Sequence, residues 1–357
     1  MLASLKYNVV QEKLLKMYRE KHFFENLQEL RGMAALLIVM SHIPLFKKMI
    51  GPSFGGYGVA IFFLLSGFLV AYSTQNGNKL FLTKRSIRII PVYYLMTVLT
   101  YILVSIKPSL FNTTTANPIY LAKSLLFIPY VNPNGIVRPI LDVAWALLPE
   151  VWLYLLYWIV MKVSHKYRNE IVAIILFLIF LLGEIFLKSN PIYSQYRFSC
   201  LTFTIGILIY LVWLSSNNEK KVVAKSKWKW ILCSLLFWSA GVAYNYSIQF
   251  GLDAISLLLP VLVFVCYLVN DSAIYNSKMI MRVATFSYSL YLSHEFVVKG
   301  FSRLLFSLNE VTVENVLLSG ICIFIAVIVG FVLNCFFEKP VTNFLTNLFI
   351  KNEKNKD

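Results

Sequence analysis

Charged side chains are scarce in this sequence, and acidic ones are outnumbered by basic ones. Only 14% of the 357 residues are Asp, Glu, Lys or Arg, whereas 58% are hydrophobic. A soluble domain could not solvate so apolar a surface, so the composition indicates an integral membrane protein. The net charge is +16. In so weakly charged a chain this excess is typical of basic loops facing an anionic membrane leaflet, and we expect no nucleic-acid partner.

Cysteine is rare as well, and its spacing excludes the usual cysteine chemistry. All five cysteines lie in apolar segments, without the C-x-x-C spacing of a metal or redox site. We interpret them as small buried hydrophobic residues. His294 and Glu295 begin like the zinc-binding motif H-E-x-x-H, but a valine, Val298, stands where the second histidine is needed. The sequence therefore predicts no metal site.

Long hydrophobic runs, by contrast, are abundant. A membrane-spanning helix needs about 20 mostly apolar residues, and on this basis the sequence predicts an all-α fold with ten transmembrane helices. The predicted spans are 28–46, 54–73, 86–106, 143–163, 170–188, 198–215, 229–247, 253–270, 283–300 and 314–338. The ninth of these is the most polar.

The links between the runs predict the orientation of the chain. Lys and Arg are concentrated in the N-terminus, in alternate links and in the C-terminus, which predicts that both termini are cytoplasmic. The long link 107–142 is then external, and its apolar stretch 119–128 is too short to span. We expect 1–26 to contain a cytoplasmic, interfacial helix, 27–340 to form one transmembrane domain, and 341–357 to be a basic cytoplasmic tail.

Ionisable residues inside lipid are costly and therefore indicate function. Arg31 begins the first predicted span, and a rise of about 1.5 Å per residue places His42 roughly 16 Å deeper, near mid-bilayer. His294 reaches a similar depth in the ninth span, and Glu150 lies roughly 10 Å below the outer face. We expect the two imidazoles and the carboxylate to converge in the outer half of one helix bundle. The structural alternatives are that each histidine is a hydrogen-bonded interior residue, and that Glu150 pairs with an arginine or is a structural acceptor.

A basic cluster lies at the cytoplasmic start of the third span. Arg85 and Arg88 are three residues apart and share a helix face. With Arg31 at a similar depth they form a patch suited to bidentate binding of phosphate. The alternative is that these arginines are ordinary positive-inside anchors.

Six phrases, in order along the chain, resemble the membrane-bound acyltransferase family 3, the bacterial O-acyltransferases of surface and exported polysaccharides. They are LQELRGMAALLIVMSH (27–42), FFLLSGF within 56–73, KRSIRIIPVYY (84–94), WALLPEVWLYLLYW (145–158), FSYSLYLSH (286–294) and FEKPV (337–341). Each phrase alone is weak evidence for the family, but six of them in the same order are specific to it. Pro149, directly before Glu150, departs from the family's pattern, and we expect a bend there.

The resemblance implies an O-acetyltransferase in the bacterial inner membrane. It would move an acetyl group from cytoplasmic acetyl-CoA to a hydroxyl of a cell-surface or exported glycan, such as O-antigen, exopolysaccharide or capsule. Arg31, Arg85 and Arg88 would hold the phosphates of the donor, and no cofactor would be bound permanently. The acceptor could be lipid-linked, and the oligomeric state stays open, with a homo-oligomer as one option.

The resemblance also implies roles for the buried titratable groups. His42 would be the general base or a transient acyl carrier, because a neutral imidazole suits either role. Glu150 would orient an imidazole or bind the sugar, and His294 would protonate the thiolate or bind the acceptor. The alternatives are a secondary transporter, in which His and Glu relay protons, and a membrane scaffold without chemistry.

Overall fold

Helices make up nearly all the regular structure in the described part of the chain. A computed structural model describes residues 25–51, 53–75, 77, 79–110, 114–216, 258–269, 277–304 and 311–351. In these ranges the one extended pairing is an isolated antiparallel bridge between Val131 and Val137. The predicted all-α fold is confirmed for this part of the chain.

The described part of the chain contains thirteen α-helices. The first six are α1 (Glu25–His42), α2 (Pro44–Ile50), α3 (Gly55–Ser73), α4 (Phe81–Ile106), α5 (Pro118–Leu125) and α6 (Leu147–Val163). The next seven are α7 (Arg168–Phe186), α8 (Pro191–Ser216), α9 (Leu258–Val269), α10 (Lys278–Thr285), α11 (Ser287–Leu304), α12 (Val313–Leu333) and α13 (Lys339–Thr346). A 3₁₀ turn (Asp142–Ala146) leads into α6, and π-helical turns (Asn334–Glu338 and Asn347–Lys351) flank α13.

Six of the described helices are long and apolar enough to cross a membrane, or seven if the bent pair of α1 and α2 forms one span. The protein is therefore a multi-pass membrane protein, but the predicted count of ten is not confirmed. The predicted span 229–247 lies outside the described residues, as do both termini, 1–24 and 352–357. The predicted span 253–270 contains the shorter helix α9, and 283–300 is divided into α10 and α11 at Phe286.

The first helix ends earlier than the hydrophobic pattern predicted. The apolar run continues to position 46, but α1 stops at His42 and α2 leaves it at an angle of 98°. Pro44 explains the break, because proline disfavours helical backbone in the residue before it. Ile43 accordingly has an extended conformation, with φ −80° and ψ 126°. The break leaves His42 as the last residue of α1.

Helices α3 and α8 cross in close backbone contact. A Cβ added at Gly67 would lie 2.1 Å from the carbonyl oxygen of Phe203, and one added at Gly206 would lie 2.4 Å from that of Leu64. Glycine on both sides is thus what allows the two helices to approach each other. This crossing fixes α3, which carries part of the site described below.

The outer faces of the bundle fit a membrane environment. Apolar side chains are exposed on α7 and α12, among them Ile174, Phe177, Leu178, Leu181, Leu317, Ile321, Phe324 and Ile328.

The helix α5 has eight residues, as expected for a stretch too short to span. It is held on α4 by Tyr93 and Tyr94, whose hydroxyls donate to the carbonyl oxygens of Ser124 and Leu125, each at 2.8 Å.

Candidate active site

Three arginines and one carboxylate line a single cavity inside the bundle. Arg31 comes from α1, Arg85 and Arg88 from the first turns of α4, and Glu150 from α6. The cavity has a volume of about 850 Å³ with its mouth included. Most of its other lining is apolar, so the charged groups stand out against a low-dielectric wall. The arginines predicted to form one patch do lie together.

The charge of this cavity is positive. Among the described residues, none of the three guanidinium groups forms an ion pair with a carboxylate. Arg85 is instead oriented by an aromatic ring, with its Cζ 4.8 Å from the centroid of Tyr154. Three half-buried arginines facing one carboxylate leave a net positive charge, which favours an anionic ligand with several oxygens.

A chain of hydrogen bonds fixes Glu150 next to the arginines. Its Oε1 accepts from the hydroxyl of Ser66 at 2.9 Å and from that of Tyr154 at 2.5 Å. The Tyr154 oxygen in turn accepts from Arg85 Nη1 at 3.4 Å. These contacts hold Glu150 in place as a hydrogen-bond acceptor.

The bend expected at Pro149 does not interrupt the helix. Pro149 lies in the first turn of α6, where the helix needs no backbone N–H, and α6 runs on without a break.

The two predicted histidines meet in the bundle. The rings of His42 and His294 pack edge to face, with their centroids 4.6 Å apart and their planes at 76°. Nδ1 of His42 lies 2.9 Å from the carbonyl oxygen of Ile38, and Nδ1 of His294 lies 2.7 Å from that of Tyr291. A carbonyl oxygen can only accept, so in each ring Nδ1 carries the hydrogen and donates it. Nε2 of each ring then holds a lone pair.

The histidine pair lies behind the wall of the arginine-lined cavity, and neither His42 nor His294 is itself a lining residue. Ile38 and Tyr291, whose carbonyl oxygens accept from the two imidazoles, also line the cavity. Arg31 lies eleven residues before His42 on the same helix, a rise of roughly 16 Å. A ligand whose anionic part lies at the arginines can therefore extend toward the imidazoles.

The placement of Glu150 differs from the expected convergence of three titratable groups. His42 and His294 are in contact, whereas the hydrogen bonds of Glu150 link it to Arg85 through Tyr154. The helix α6 runs from the histidine end toward the arginine end, since Tyr291 donates to the carbonyl oxygen of Val143. Glu150 therefore belongs to the arginine cluster.

Sequence reasoning missed several polar residues that shape the site. Ser66 and Tyr154 hold Glu150, and nothing in their local sequence indicated that partner. Glu338 is buried, and its Oε2 accepts from the Ser289 hydroxyl and from Asn334 Nδ2. The FEKPV phrase contained Glu338, and a carboxylate at the end of an apolar run was the signal that was available.

Comparison with known proteins identifies the family of the chain. A family model described as an acyltransferase domain, that of acyltransferase family 3, matches residues 25–335. The match spans all of the candidate site residues, from Arg31 to His294. Neither the curated proteins nor the solved structures gave a match.

Proposed function

Because the chain belongs to acyltransferase family 3 and is a membrane acyltransferase, we propose that it transfers an acetyl group from acetyl-CoA to a glycan hydroxyl. The single observation that carries this proposal is the cavity that holds three arginines and is also lined by Ile38 and Tyr291, the residues that anchor the histidine pair. Among the described residues, no arrangement favours a secondary transporter over the chemistry of the family.

The donor is proposed to bind with its phosphates at the arginines. Coenzyme A carries a diphosphate and a ribose phosphate, which match the bidentate geometry of guanidinium groups. The arm that ends in the thioester is long and weakly polar, and the cavity beyond the arginines is mainly apolar. Bound in this way, the thioester points from Arg31 toward His42. Both the charge and the direction of the cavity support this mode of binding.

The histidine pair is proposed to carry the proton transfers. Nε2 of His42 removes the proton of the acceptor hydroxyl as the oxygen attacks the thioester carbonyl. The tetrahedral intermediate collapses, the C–S bond breaks, and the ester leaves as the product. The proton is returned to the departing thiolate, with His294 as its carrier, so that both imidazoles end neutral. Contact between the two rings supports such a handover.

Glu150 is proposed to position the donor site. Its Oε1 accepts from Tyr154, whose hydroxyl and ring orient Arg85. The carboxylate also offsets part of the positive charge around the cavity before the donor binds. This role replaces the expectation that Glu150 orients an imidazole.

The acceptor is proposed to reach the histidines from the side opposite the arginines. The start of α6 and the link before it lie at that end, since Val143 accepts from Tyr291 beside the histidine pair. With both termini in the cytoplasm, this side is the outer face of a bacterial inner membrane, where exported glycans are available. Acetyl-CoA on one side and the glycan on the other would then meet at His42.

O-acetylation in the host tests the proposal. The O-acetyl content of the surface polysaccharide is measured in a deletion strain complemented with the wild type, His42→Ala or Arg85→Ala. We expect wild-type protein to restore the ester and both variants to leave it near the level of the deletion strain. Equal O-acetyl content of every envelope glycan in all strains would contradict the proposed function. Immunoblots of the membranes control for the amount of protein.

A further inference from the structure

A second buried carboxylate lies on the helix that carries His294. Glu295 follows His294 on α11 and forms a row with Tyr291 and Lys299, spaced four residues apart on one helix face. Glu295 is 4% exposed. Tyr291 donates to the carbonyl oxygen of Val143, which places this row against the start of α6.

Only one of the two oxygens of Glu295 is used. Oε1 pairs with the ammonium of Lys299. Oε2 is buried and has no hydrogen-bond partner in the part of the chain that the structure describes. Buried acceptors in folded proteins are nearly always paired, and one that is not is explained by a role or a ligand. Lys299 compensates the charge and the backbone N–H of Val143 also acts on the carboxylate, so Oε2 itself still lacks one neutral donor.

The surroundings of Glu295 are polar and partly open. Asp142, which lies within electrostatic reach of Glu295, forms an ion pair with Arg138 at 3.0 Å. The side chains of Arg138 and Asp142 are 26% and 23% exposed, and that of Lys299 is 29% exposed. The charges of Asp142 and Lys299 also act on the ring of His42. A polar ligand that entered here would lie close to Glu295 and to the charges that act on His42.

We propose that Glu295 is an acceptor-positioning residue, whose Oε2 accepts a hydrogen bond from a glycan hydroxyl adjacent to the hydroxyl that is acetylated. This inference rests on the proposed function and deepens it. A polyhydroxylated ligand supplies neutral donors on neighbouring carbons, so one hydroxyl can bind Glu295 while the next faces the His42 imidazole. Glu295 does not contact the reacting atoms and acts by orienting the acceptor.

Steady-state kinetics with two varied substrates test the proposal. The protein in nanodiscs receives radiolabelled acetyl-CoA and, as the acceptor probe, host surface polysaccharide from which mild alkali has removed the O-acetyl esters. For Glu295→Gln we expect about a tenfold rise in the KM for the polysaccharide, as for one lost charge-assisted hydrogen bond. The KM for acetyl-CoA should stay within about twofold of the wild type, because the donor lies at the arginines.

A second substitution and a matched control complete the test. Glu295→Asp keeps the charge on a shorter side chain, and we expect it to raise only the KM for the polysaccharide, by less than Glu295→Gln does. If Glu295→Gln does not accumulate, Glu295→Asp carries the test alone. The control is Glu184→Gln, which removes the Arg197 ion pair between α7 and α8, and it should leave both KM values unchanged.

Two results would overturn the inference. One is an unchanged KM for the polysaccharide in the Glu295 variants, and the other is an equal rise in both KM values, which a general loss of structure would produce. If the wild-type protein itself transfers no acetyl group to the polysaccharide, it is the proposed function that fails. The two failures are thus distinguishable.

Discussion

The imidazole rings of His42 and His294 stand edge to face in the middle of the bundle, with their centroids 4.6 Å apart. Each ring donates its Nδ1 hydrogen to a carbonyl oxygen of its own helix, Ile38 for His42 and Tyr291 for His294. The helices thereby set both the tautomer and the orientation of the two rings. Each Nε2 is left with a lone pair, and this shared property makes the pair suited to proton transfer.

The tautomer of His42 leads to the first prediction. In His42→Asn, the amide NH₂ can still donate to the Ile38 carbonyl oxygen, but no basic nitrogen remains. We expect acetyl transfer to fall by about 10² to 10⁴, the usual contribution of a general base, with little change in thermal stability. His165→Ala, at an exposed position between α6 and α7, is the control and should keep its activity. Activity of His42→Asn near that of the wild type would exclude His42 as the base.

The arginine cluster leads to the second prediction, which uses a truncated donor. Acetyl-pantetheine carries the thioester but lacks the phosphates that the arginines are proposed to bind. In Arg88→Ala we expect kcat/KM for acetyl-CoA to fall by roughly 10- to 100-fold, as for a lost charge-assisted contact. The value for acetyl-pantetheine should barely change. Equal losses with both donors would contradict phosphate binding, and Lys84→Ala, exposed on the same helix turn, is the matched control.

Sequence reasoning predicted that the three arginines lie together and that the two histidines lie together, and both groupings have a physical basis. Helical rise converts sequence position into depth, so residues at equal depth in neighbouring spans can be paired from the sequence alone. The i, i+3 spacing of Arg85 and Arg88 fixed their common face in the same way. Both groupings depended on distances along a helix axis.

The features that sequence reasoning missed depend on how each helix is rotated about its axis and on which neighbour each side chain meets. Depth placed Glu150 in the outer half, but it does not reveal which helix a side chain faces. Glu150 faces Ser66 of α3 and Tyr154 one turn further along α6. The apolar run to position 46 likewise hid the turn at Ile43, because hydropathy does not register that Pro44 disfavours helical backbone in the residue before it.

The hydrogen bonds of Glu150 lead to the third prediction. Ser66→Ala and Tyr154→Phe each remove one of the two hydroxyls that donate to Glu150 Oε1. After either single substitution the other donor remains, so only the double variant loses both. We expect the double variant to lose more stability than the two single losses combined, by about 0.5 to 3 kcal/mol. Denaturant unfolding in detergent measures the cycle. Ser66→Ala combined with Tyr193→Phe, a residue of α8 whose hydroxyl donates to Glu184 of α7, should be additive. Additivity of both cycles would refute the coupling.

The sidedness of the site leads to the fourth prediction. Asn134 is exposed in the link before α6, next to Gly135, which has a positive φ of 76°. In the proposed orientation this link faces the exterior of the inner membrane. We expect Asn134→Cys, in a variant without its natural cysteines, to react with a membrane-impermeant maleimide in spheroplasts. Labelling that requires disruption of the membrane would reverse the orientation and place the arginines outside. Lys84→Cys, at the arginine end, should show the opposite pattern.

The crossing of α3 and α8 leads to the fifth prediction. A methyl group at Gly67 would lie 2.1 Å from the Phe203 carbonyl oxygen, far inside van der Waals contact. The atoms that the methyl group would meet belong to the backbone of α8, so no flexible side chain can move away and the helices must separate. We expect Gly67→Ala to cost about 1 to 3 kcal/mol of stability, as overpacking does. Gly320→Ala on α12 is the control, because a Cβ there meets nothing within 4 Å in the described part of the chain.

Separation of α3 from α8 should also affect the active site, because Ser66 directly precedes Gly67. A shift of α3 moves the Ser66 hydroxyl away from Glu150 and so disturbs the chain of hydrogen bonds that leads to Arg85. Gly67→Ala is therefore expected to raise the KM for acetyl-CoA at a temperature where the protein is still folded. In Gly320→Ala the KM should match that of the wild type and the melting temperature should not fall, since alanine favours a helix over glycine. A Gly67→Ala protein as stable and as active as Gly320→Ala would show that the crossing tolerates a side chain.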